Sequence, residues 1–430
     1  MIGRIPRPVA LFAALAVLIL AIALTSGVPY TTRLLVEAGA YALIVLGLNI
    51  QWGFGGLFNF GIMGFMMVGG ASVTFISYPL NSKFWYSDGP MLLGRALIAA
   101  LIATAIILAA RQLHRIGVKG VLKTVLVALA WFVGYIVFRS QMDPATVYIV
   151  QNAGFVGGLG LPVVFGWVFG GAVAGGIAYI IGRICLGLRS DYLAIATIGI
   201  SEILRQLIKN NQWLTRGTLT VSPIKWPVPL PQDYQAMGVD TQTSLLYARG
   251  GFLLVVVAVV AVVMFLLMRA YGGPWGRMMR AIRDNYIAAD SMGKDIKARQ
   301  LEIFVLGSVL IGIGGSILVS FTQIFDPNSY QTINHTFFIW VMIIVGGAGN
   351  NWGALFGALF IYIVWLLSEP LAQALFGGIS YWSSHIGWGA IPDIESRSLQ
   401  MRVFVLGLVI SVALRYAPRG LIPETSQTSR

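Results

Sequence analysis

The sequence predicts an all-α protein that crosses a membrane many times. Of its 430 residues, 57% are hydrophobic and only 10% are charged, and the mean hydropathy is +0.80. Soluble domains carry about a quarter charged residues, so this composition excludes an ordinary globular protein. The 51 glycines are typical of membrane helices, because small residues let neighbouring helices approach closely.

Apolar runs of about 17 to 22 residues predict the individual crossings. Twelve runs occur, near 8–27, 35–51, 57–78, 91–110, 121–138, 162–182, 190–208, 251–270, 301–322, 333–348, 352–370 and 401–416. They form one transmembrane domain over residues 1–430. The first run follows Arg4 and Arg7, as a secretory signal would, but its length and the runs behind it indicate an uncleaved first helix.

The basic residues predict the orientation, since cytoplasmic loops of membrane proteins are enriched in Lys and Arg. One face carries Arg4, Arg7, Arg111, Arg115, Lys119, Lys123, Arg183, Arg189, the loop 271–300, Arg415 and Arg419. The other face carries a weaker and more scattered set, such as Lys83, Arg95 and Arg139. An even number of crossings then places both termini in the cytoplasm. The net charge of +13 reflects this topology and anionic lipid, and no nucleic-acid partner is expected.

Two glycine-rich segments interrupt the apolar pattern, at residues 49–61 and 151–160. The first also places the amides of Asn49, Gln51 and Asn59 at membrane depth. Non-helical backbone is tolerated there only where protein or a water-filled cavity surrounds it. Two interpretations stay open for each segment: a broken helix that lines a pathway, or a tight turn between close-packed helices.

The longest polar connections lie on opposite faces. Residues 210–250 are rich in proline and predict an ordered external loop rather than a crossing.

Residues 271–300 form the densest island of charge, with six basic side chains. Four residues of this loop recur at helical spacing and predict a short amphipathic helix: Ile282, Tyr286, Ala289 and Gly293. Small residues on one face and arginines on the other predict docking to a cytoplasmic partner.

Glu202 and Arg205 stand three residues apart in an apolar run, so they share one helix face and can pair. A lone charge at membrane depth costs about 2.5–3.5 kcal/mol. The pair either braces neighbouring helices or lines and gates a route, and the sequence leaves both open. Glu202 is the only carboxylate that we place deep in the bundle, and Glu37 has no evident partner and is assigned no role.

The sequence contains no motif for chemistry of its own. The phosphate-binding pattern is missing, since Gly293 and Lys294 are followed by Asp295 without a preceding glycine run. The three histidines, His114, His335 and His385, are far apart, and no catalytic constellation occurs. We therefore expect no enzyme, metal or cofactor, and no hydrolysis of ATP by this chain. A pathway driven by separate subunits fits better.

Four ordered segments resemble one family of permeases. Residues 288–293 (AADSMG) resemble the EAA loop of ATP-binding-cassette (ABC) importers, with Ile287 where glutamate is usual. The others are 48–61 (LNIQWGFGGLFNFG), 190–197 with 202–205 (SDYLAIAT, EILR), and 346–353 with 417–421 (GGAGNNWG, APRGL). Together they resemble LivM-type permeases of branched-chain amino acid importers, over about residues 35–78 and 160–420.

The resemblance implies a ten-helix core of the type II importer kind in a bacterial inner membrane. Residues 84–150 are then an inserted helical pair, which accounts for twelve crossings instead of ten. The implied partners are a homologous second permease, forming a heterodimer, two cytoplasmic ATP-binding subunits and a periplasmic binding protein. The coupling residues would be Arg280, Arg283, Asp284, Ala288, Ala289 and Gly293. The translocation pathway would be lined by Asn49, Gln51, Asn59, Tyr192, Glu202 and Arg205.

The expected cargo is a branched-chain or other small amino acid. Ile62 stands where many relatives carry His or Gln, and residues 214–220 replace a more glycine-rich segment, so urea or a short amide is an alternative. A secondary transporter is a third hypothesis, which would require several ion-coupling carboxylates and an inverted repeat. The sequence shows neither.

Overall fold

The computed structural model describes residues 6–113, 120–387, 389 and 391–424. The helices are α1 (Arg7–Ser26), α2 (Val28–Leu48) with a π-helical turn (Asn49–Phe54), α3 (Ile62–Ser77), α4 (Ser82–Trp85), α5 (Gly89–Gln112), α6 (Val121–Asn152), α7 (Val163–Cys185), α8 (Ser190–Asn210), α9 (Gln212–Thr215), α10 (Pro231–Ala236), α11 (Thr241–Gly272), α12 (Pro274–Asp284), α13 (Tyr286–Ser291), α14 (Ile296–Thr322), α15 (Thr332–Gly346), α16 (Asn351–His385) and α17 (Ile394–Tyr416).

The all-α polytopic class is confirmed. Each of the twelve predicted crossings coincides with a helix, and nine described helices are long and apolar enough to span a membrane. Two of the remaining three, α3 and α15, are apolar but short. The third is α8, whose 21 residues include Asp191, Glu202, Arg205 and Lys209.

Several predicted boundaries are wrong by ten residues or more. Helix α11 begins at Thr241 instead of 251, α6 runs to Asn152 past Pro144, and α16 runs to His385 past Pro370. The predictions stopped where the apolar run stopped. A helix need not end there, because it satisfies its own backbone hydrogen bonds in water as well as in lipid.

The core of the bundle consists of α2, α3, α7 and α14. Close approach here depends on glycine: a methyl group added at Gly69 of α3 would overlap the backbone of Gly312 in α14. Added at Gly315, it would overlap the backbone of Met66. Of the nine described helices long enough to span a membrane, α2 with its π-helical turn is the most buried, since 83% of the residues in its most apolar window are inside the protein.

Helices α5 and α6 form a hairpin that packs mainly on itself. The two helices meet along small residues, among them Ala103 and Gly134. Only 17% and 11% of their most apolar windows are buried. The glycine-rich connection that follows returns to the end of α3, where Leu159 and Leu161 donate backbone hydrogen bonds to Phe75 and Ile76. This connection is a tight turn between packed elements.

The bundle has two distinct ends. At the arginine-rich end, the loop 273–295 lies beside the π-helical turn, residues 347–351 and the C-terminal segment 417–424. At the opposite end, the proline-rich segment 211–240 covers the helices: Val221 pairs with Phe325, and Trp226 stacks on Phe321 at 5.4 Å. That segment ends at Asp240, whose side chain caps α11 by accepting from the Gln242 amide at 3.1 Å.

Candidate functional site

The polar segment 49–61 is buried in the bundle. The Asn49 side chain donates to Asn351 Oδ1 at 3.0 Å and accepts from the Gly349 amide at 2.9 Å. These contacts tie the π-helical turn to the first residue of α16 and to the loop before it. The side chain of Asn49 is therefore enclosed by this chain and faces no open space.

Gln51 and Asn59 form a second buried group of amides. Gln51 Nε2 donates to the Phe304 carbonyl at 2.9 Å and to Ser308 Oγ at 3.1 Å, both on α14. Its Oε1 accepts from Asn59 Nδ2 at 2.8 Å, and Asn59 Oδ1 accepts from the Gly61 amide at 2.8 Å. The polar groups that are costly in lipid are thus paired within the protein.

After the π-helical turn, the chain runs back into the bundle before α3 begins. The Phe60 amide donates to Thr197 Oγ1 of α8 at 3.0 Å, and its carbonyl accepts from Thr336 Oγ1 of α15 at 3.1 Å. With 16 residues, α3 is about 24 Å long, less than the roughly 30 Å of a bilayer core. Segment 55–61 fills the missing depth with non-helical backbone, as a broken helix does.

Glu202 and Arg205 form the predicted pair. Arg205 donates to Glu202 Oε1 at 2.8 Å, and the same oxygen accepts from Gln206 at 2.9 Å. The second oxygen accepts from Thr332 Oγ1, at the first turn of α15, at 2.9 Å. The side chain of Glu202 is 40% exposed in the single chain. The carboxylate is therefore both paired and accessible.

Tyr192 does not join this pair. It lies ten residues before Glu202 on α8, about 15 Å along the helix axis, and its side chain is exposed. The structure thus divides the predicted pathway residues into three sets. Three amides are buried, one charged pair faces α15, and one tyrosine stands alone toward the start of α8.

The charged loop forms two helices rather than one. Helix α12 ends at Asp284, because Asn285 takes an extended conformation and its side chain caps α13 by accepting from the Ala288 amide at 3.0 Å. Helix α13 ends at Ser291, and the chain turns two residues later at Gly293, whose φ of +73° favours glycine. A side chain at Gly293 would strain this turn, although the space around it is open.

The loop exposes large apolar residues as well as small ones. Ala289 is covered by the chain itself, whereas Ala288 and Gly293 are exposed. Around them, Tyr286 and Ile287 are 62% exposed and Met292 is 79% exposed. We refer to Tyr286, Ile287 and Met292 as the apolar knob. Three large apolar residues within a charged loop were the sequence signal that could have revealed it.

Arg283 points inward from α12 and is only partly exposed. Its guanidinium donates to the Gly53 carbonyl at 2.6 Å, pairs with Glu424 at 3.0 Å and pairs with Asp284 at 3.0 Å. Partial burial alone would lower its pKa, but the hydrogen bonds and charges of Asp284 and Glu424 outweigh it and raise the pKa. Arg280 makes only a long contact, 3.5 Å, to the Tyr271 carbonyl.

A cleft of about 1090 Å³ opens at the arginine-rich end. Its walls come from α11, α12, the π-helical turn, the start of α16 and the C-terminal segment. The charged residues along it are Arg277, Arg280, Arg283, Asp284, Arg419 and Glu424, and the aromatic ones are Trp52, Phe54, Tyr271 and Trp352. Residues that the sequence predicts for coupling and the segment 49–61 therefore border the same space.

Two further ion pairs were missed by the sequence analysis. Glu37 is 8% exposed, accepts from Arg33 Nε at 3.2 Å and accepts from the Tyr362 hydroxyl. Glu202 is thus not the only deep carboxylate, and the i, i+4 spacing of Arg33 and Glu37 was the available signal. Glu369 of α16 pairs with Arg402 of α17, a contact between two helices that no local spacing reveals.

Metal-ligating residues do not gather in the part of the chain that the structure describes: no three His, Cys, Asp or Glu side chains lie together there.

Comparison with known proteins identifies the family. The family model described as "Branched-chain amino acid transport system / permease component" matches residues 30–414. A probable branched-chain amino acid transport permease LivM of Methanocaldococcus jannaschii is 23% identical over 398 residues, which cover 91% of this chain and 93% of that protein.

Two other relatives match over a shorter region. The high-affinity LivM permease of Escherichia coli is 25% identical over 266 residues, 59% of this chain and 56% of its own length. A nucleoside ABC transporter permease, NupC of Lactococcus lactis, is 30% identical over 191 residues, 43% of this chain and 51% of its own length. No solved structure gives a significant match. The chain is an integral membrane protein and belongs to the family of permease components of branched-chain amino acid transport systems.

Proposed function

We propose that the chain is one of two homologous permease subunits of an ABC importer that takes up branched-chain or other small amino acids. The observation that carries this proposal is the segment 49–61. Its first half contacts the charged loop through the hydrogen bond from Arg283 to Gly53, and Phe60 near its other end lies inside the bundle beside α8. A broken helix that contacts both the charged loop and α8 could transmit a movement of the loop to the interior of the bundle. A pathway that is driven by a separate ATP-binding subunit needs such a connection.

The proposed orientation places the arginine-rich end and both termini in the cytoplasm of a bacterial inner membrane. The positive-inside rule supports this, since the loops at that end hold most of the basic residues. An impermeant amine reagent outside intact cells should leave Lys294 unlabelled. A cysteine placed at Gln235, in the exposed α10, should react readily with an impermeant thiol reagent applied from the same side. Labelling in the opposite sense would reverse the topology.

The proposed coupling surface is the apolar knob together with Ala288 and Gly293, which would enter a groove on a cytoplasmic ATP-binding subunit. Three large apolar side chains exposed on a charged loop support this assignment. The variant Met292→Asp should release the ATP-binding subunits from complex purified through this chain. Met237→Asp, at a similarly exposed methionine of the opposite end, is the matched control and should retain them. Full retention by Met292→Asp would argue against the surface.

The proposed route runs between α8 of this chain and the second permease, with Tyr192, Glu202 and Arg205 facing it. The exposure of Glu202 and Tyr192 in the single chain supports this choice. Asn49, Gln51 and Asn59 then hold the broken segment in shape beside the route, because their amides are already paired. A periplasmic binding protein would deliver the cargo and supply most of the selectivity.

Uptake in proteoliposomes tests the whole proposal. The complex that co-purifies with this chain is reconstituted with its binding protein, and labelled leucine is followed with and without ATP. We expect ATP-dependent uptake that unlabelled leucine, isoleucine and valine compete away. Competition by urea or acetamide alone would favour the amide importer. Competition by nucleosides would favour a cargo like that of the Lactococcus relative. Uptake that needs an ion gradient and no ATP would contradict the ABC assignment.

A further inference from the structure

Three segments that are far apart in the sequence meet at the Arg283 side chain. They are the charged loop, the π-helical turn at the end of α2 and the C-terminal segment. Arg283 reaches Gly53 across 230 residues of sequence at 2.6 Å and Glu424 at 3.0 Å. The planar guanidinium has several donors in a fixed geometry, so it can hold both acceptors at once.

The Gly53 carbonyl is available to Arg283 because the helix ends irregularly there. In an α-helix, this oxygen would accept from the amide of residue 57. That amide, of Leu57, instead donates to the Gln51 carbonyl at 2.8 Å. The π-helical turn thus shifts the backbone pairing, so that the Leu57 amide does not donate to the Gly53 carbonyl. Arg283 of the charged loop donates to this carbonyl instead.

Gly53 also packs directly against the buried amides. A Cβ added at Gly53 would overlap Asn49 Oδ1, the oxygen that accepts from the Gly349 amide. We therefore expect a displacement of Gly53 to disturb the hydrogen bonds between Asn49, Gly349 and Asn351. These bonds tie the π-helical turn to the start of α16 and to the loop before it.

The C-terminal segment holds Glu424 in a fixed position. Leu421 and Ile422 donate backbone hydrogen bonds to Val345 and Gly346 at 2.8 and 2.9 Å. Asn350 Nδ2 donates to the Pro423 carbonyl at 3.1 Å. We call residues 417–424 the C-terminal strap. It is anchored at the end of α15, and its residue Glu424 faces Arg283.

We propose that Arg283 is a positioning residue that transmits displacement of the charged loop to the broken segment 49–61, with Glu424 of the C-terminal strap holding its guanidinium in place. The proposal rests on the proposed function, in which the loop binds an ATP-binding subunit. A shift of α12 by about an ångström would stretch the bond to Gly53 beyond hydrogen-bonding distance. The broken segment must then follow the loop or separate from it.

The test measures the ratio of solute transported to ATP hydrolysed by the full complex in proteoliposomes. In Arg283→Gln, we expect ATP hydrolysis within about twofold of the unchanged protein and uptake lowered at least tenfold. Arg299→Gln is the matched control. Arg299 belongs to the same charged island and is also ion-paired, at 2.7 Å, but its partner Glu302 is on its own helix. Its ratio should not change.

Three further variants separate the contacts of Arg283. Arg283→Lys keeps the charge with a single donor group, so its ratio should lie between those of Arg283→Gln and the unchanged protein. Glu424→Gln leaves the bond to Gly53 and should lower the ratio by about two- to fivefold. The exchange Arg283→Glu with Glu424→Arg restores an ion pair but gives the Gly53 carbonyl no donor from α12. Its ratio should stay low.

An unchanged ratio in Arg283→Gln would overturn the proposal, as would full recovery in the exchange variant. Should Arg283→Gln fail to assemble, Arg283→Lys decides: a lowered ratio supports the link, and an unchanged ratio overturns it. Failure of the proposed function would look different. It would appear as an absence of ATP-dependent uptake in the unchanged complex, before any variant is compared.

Discussion

The core helices and the α5–α6 hairpin are both apolar, yet the protein buries only the core. The hairpin helices are more apolar than α2 over their best windows, and they are among the helices least covered by protein, at 17% and 11% against 83% for α2. In lipid, apolarity does not drive one helix against another, since hydrocarbon tails are as apolar as leucine. Burial in this molecule follows glycines and paired amides instead.

Replacing a glycine of the core by a large residue should have the largest effect on the amount of folded protein. Gly69→Leu places a side chain where α3 and α14 share backbone contact, so we expect loss of most folded protein. Gly94→Leu in the hairpin is the matched change, because nothing lies within 4 Å of an added Cβ there. Size-exclusion chromatography of the detergent-solubilised proteins would measure both. A monodisperse Gly69→Leu protein would disprove the dependence on close backbone contact.

Removing a buried amide should have an intermediate effect, which we expect in the thermal stability of the protein. Gln51→Leu leaves the Asn59 amide and the Ser308 hydroxyl without their partner, and each buried unsatisfied group costs about 1–3 kcal/mol. We expect a clear fall in the midpoint of thermal unfolding. Gln141→Leu, at an exposed position of α6, should leave the midpoint unchanged or raise it. Equal midpoints for the two variants would show that the amides do not stabilise the core.

The charged pair of α8 tests the region between these extremes, where polar groups are partly exposed. If Glu202 and Arg205 only brace each other, Glu202→Leu with Arg205→Met should preserve uptake, because removing an ion pair together is often nearly neutral. We expect instead an uptake lowered about tenfold with complete assembly. Arg33→Met with Glu37→Leu is the control pair and lies on α2, away from α8. Normal uptake in the α8 variant would leave that pair as a brace alone.

Excision of the hairpin should have the smallest effect. Asn81 donates to the Ala153 carbonyl at 3.0 Å, so the two ends of the hairpin are already held together. Replacing residues 89–152 by a short Gly-Ser linker should leave the core folded, with a thermal midpoint lowered by only a few degrees and uptake within about threefold. A comparable linker replacing α8 is the control and should abolish uptake. Loss of folded protein on excision would show that the hairpin belongs to the core.

Local patterns predicted the helices and the local pairs. The twelve apolar runs each became a helix, and the i, i+3 spacing of Glu202 and Arg205 became a 2.8 Å ion pair. The break at Asn285 was missed, because the apolar spacing of the loop continues across it while the backbone does not. The burial of Ala289 was likewise not predictable, since alanine occurs on both exposed and covered helix faces.

The sequence by itself determined the class of protein, the existence and order of the apolar helices, the charged loop and the family motifs, because hydropathy and helical spacing are local properties. Only the tertiary structure decided which crossings are buried and what each polar group contacts. Gln51 finds its partner 253 residues away and Arg283 finds its partner 230 residues away. Such contacts depend on how closely whole helices pack. That closeness comes from glycines whose partners no local pattern identifies.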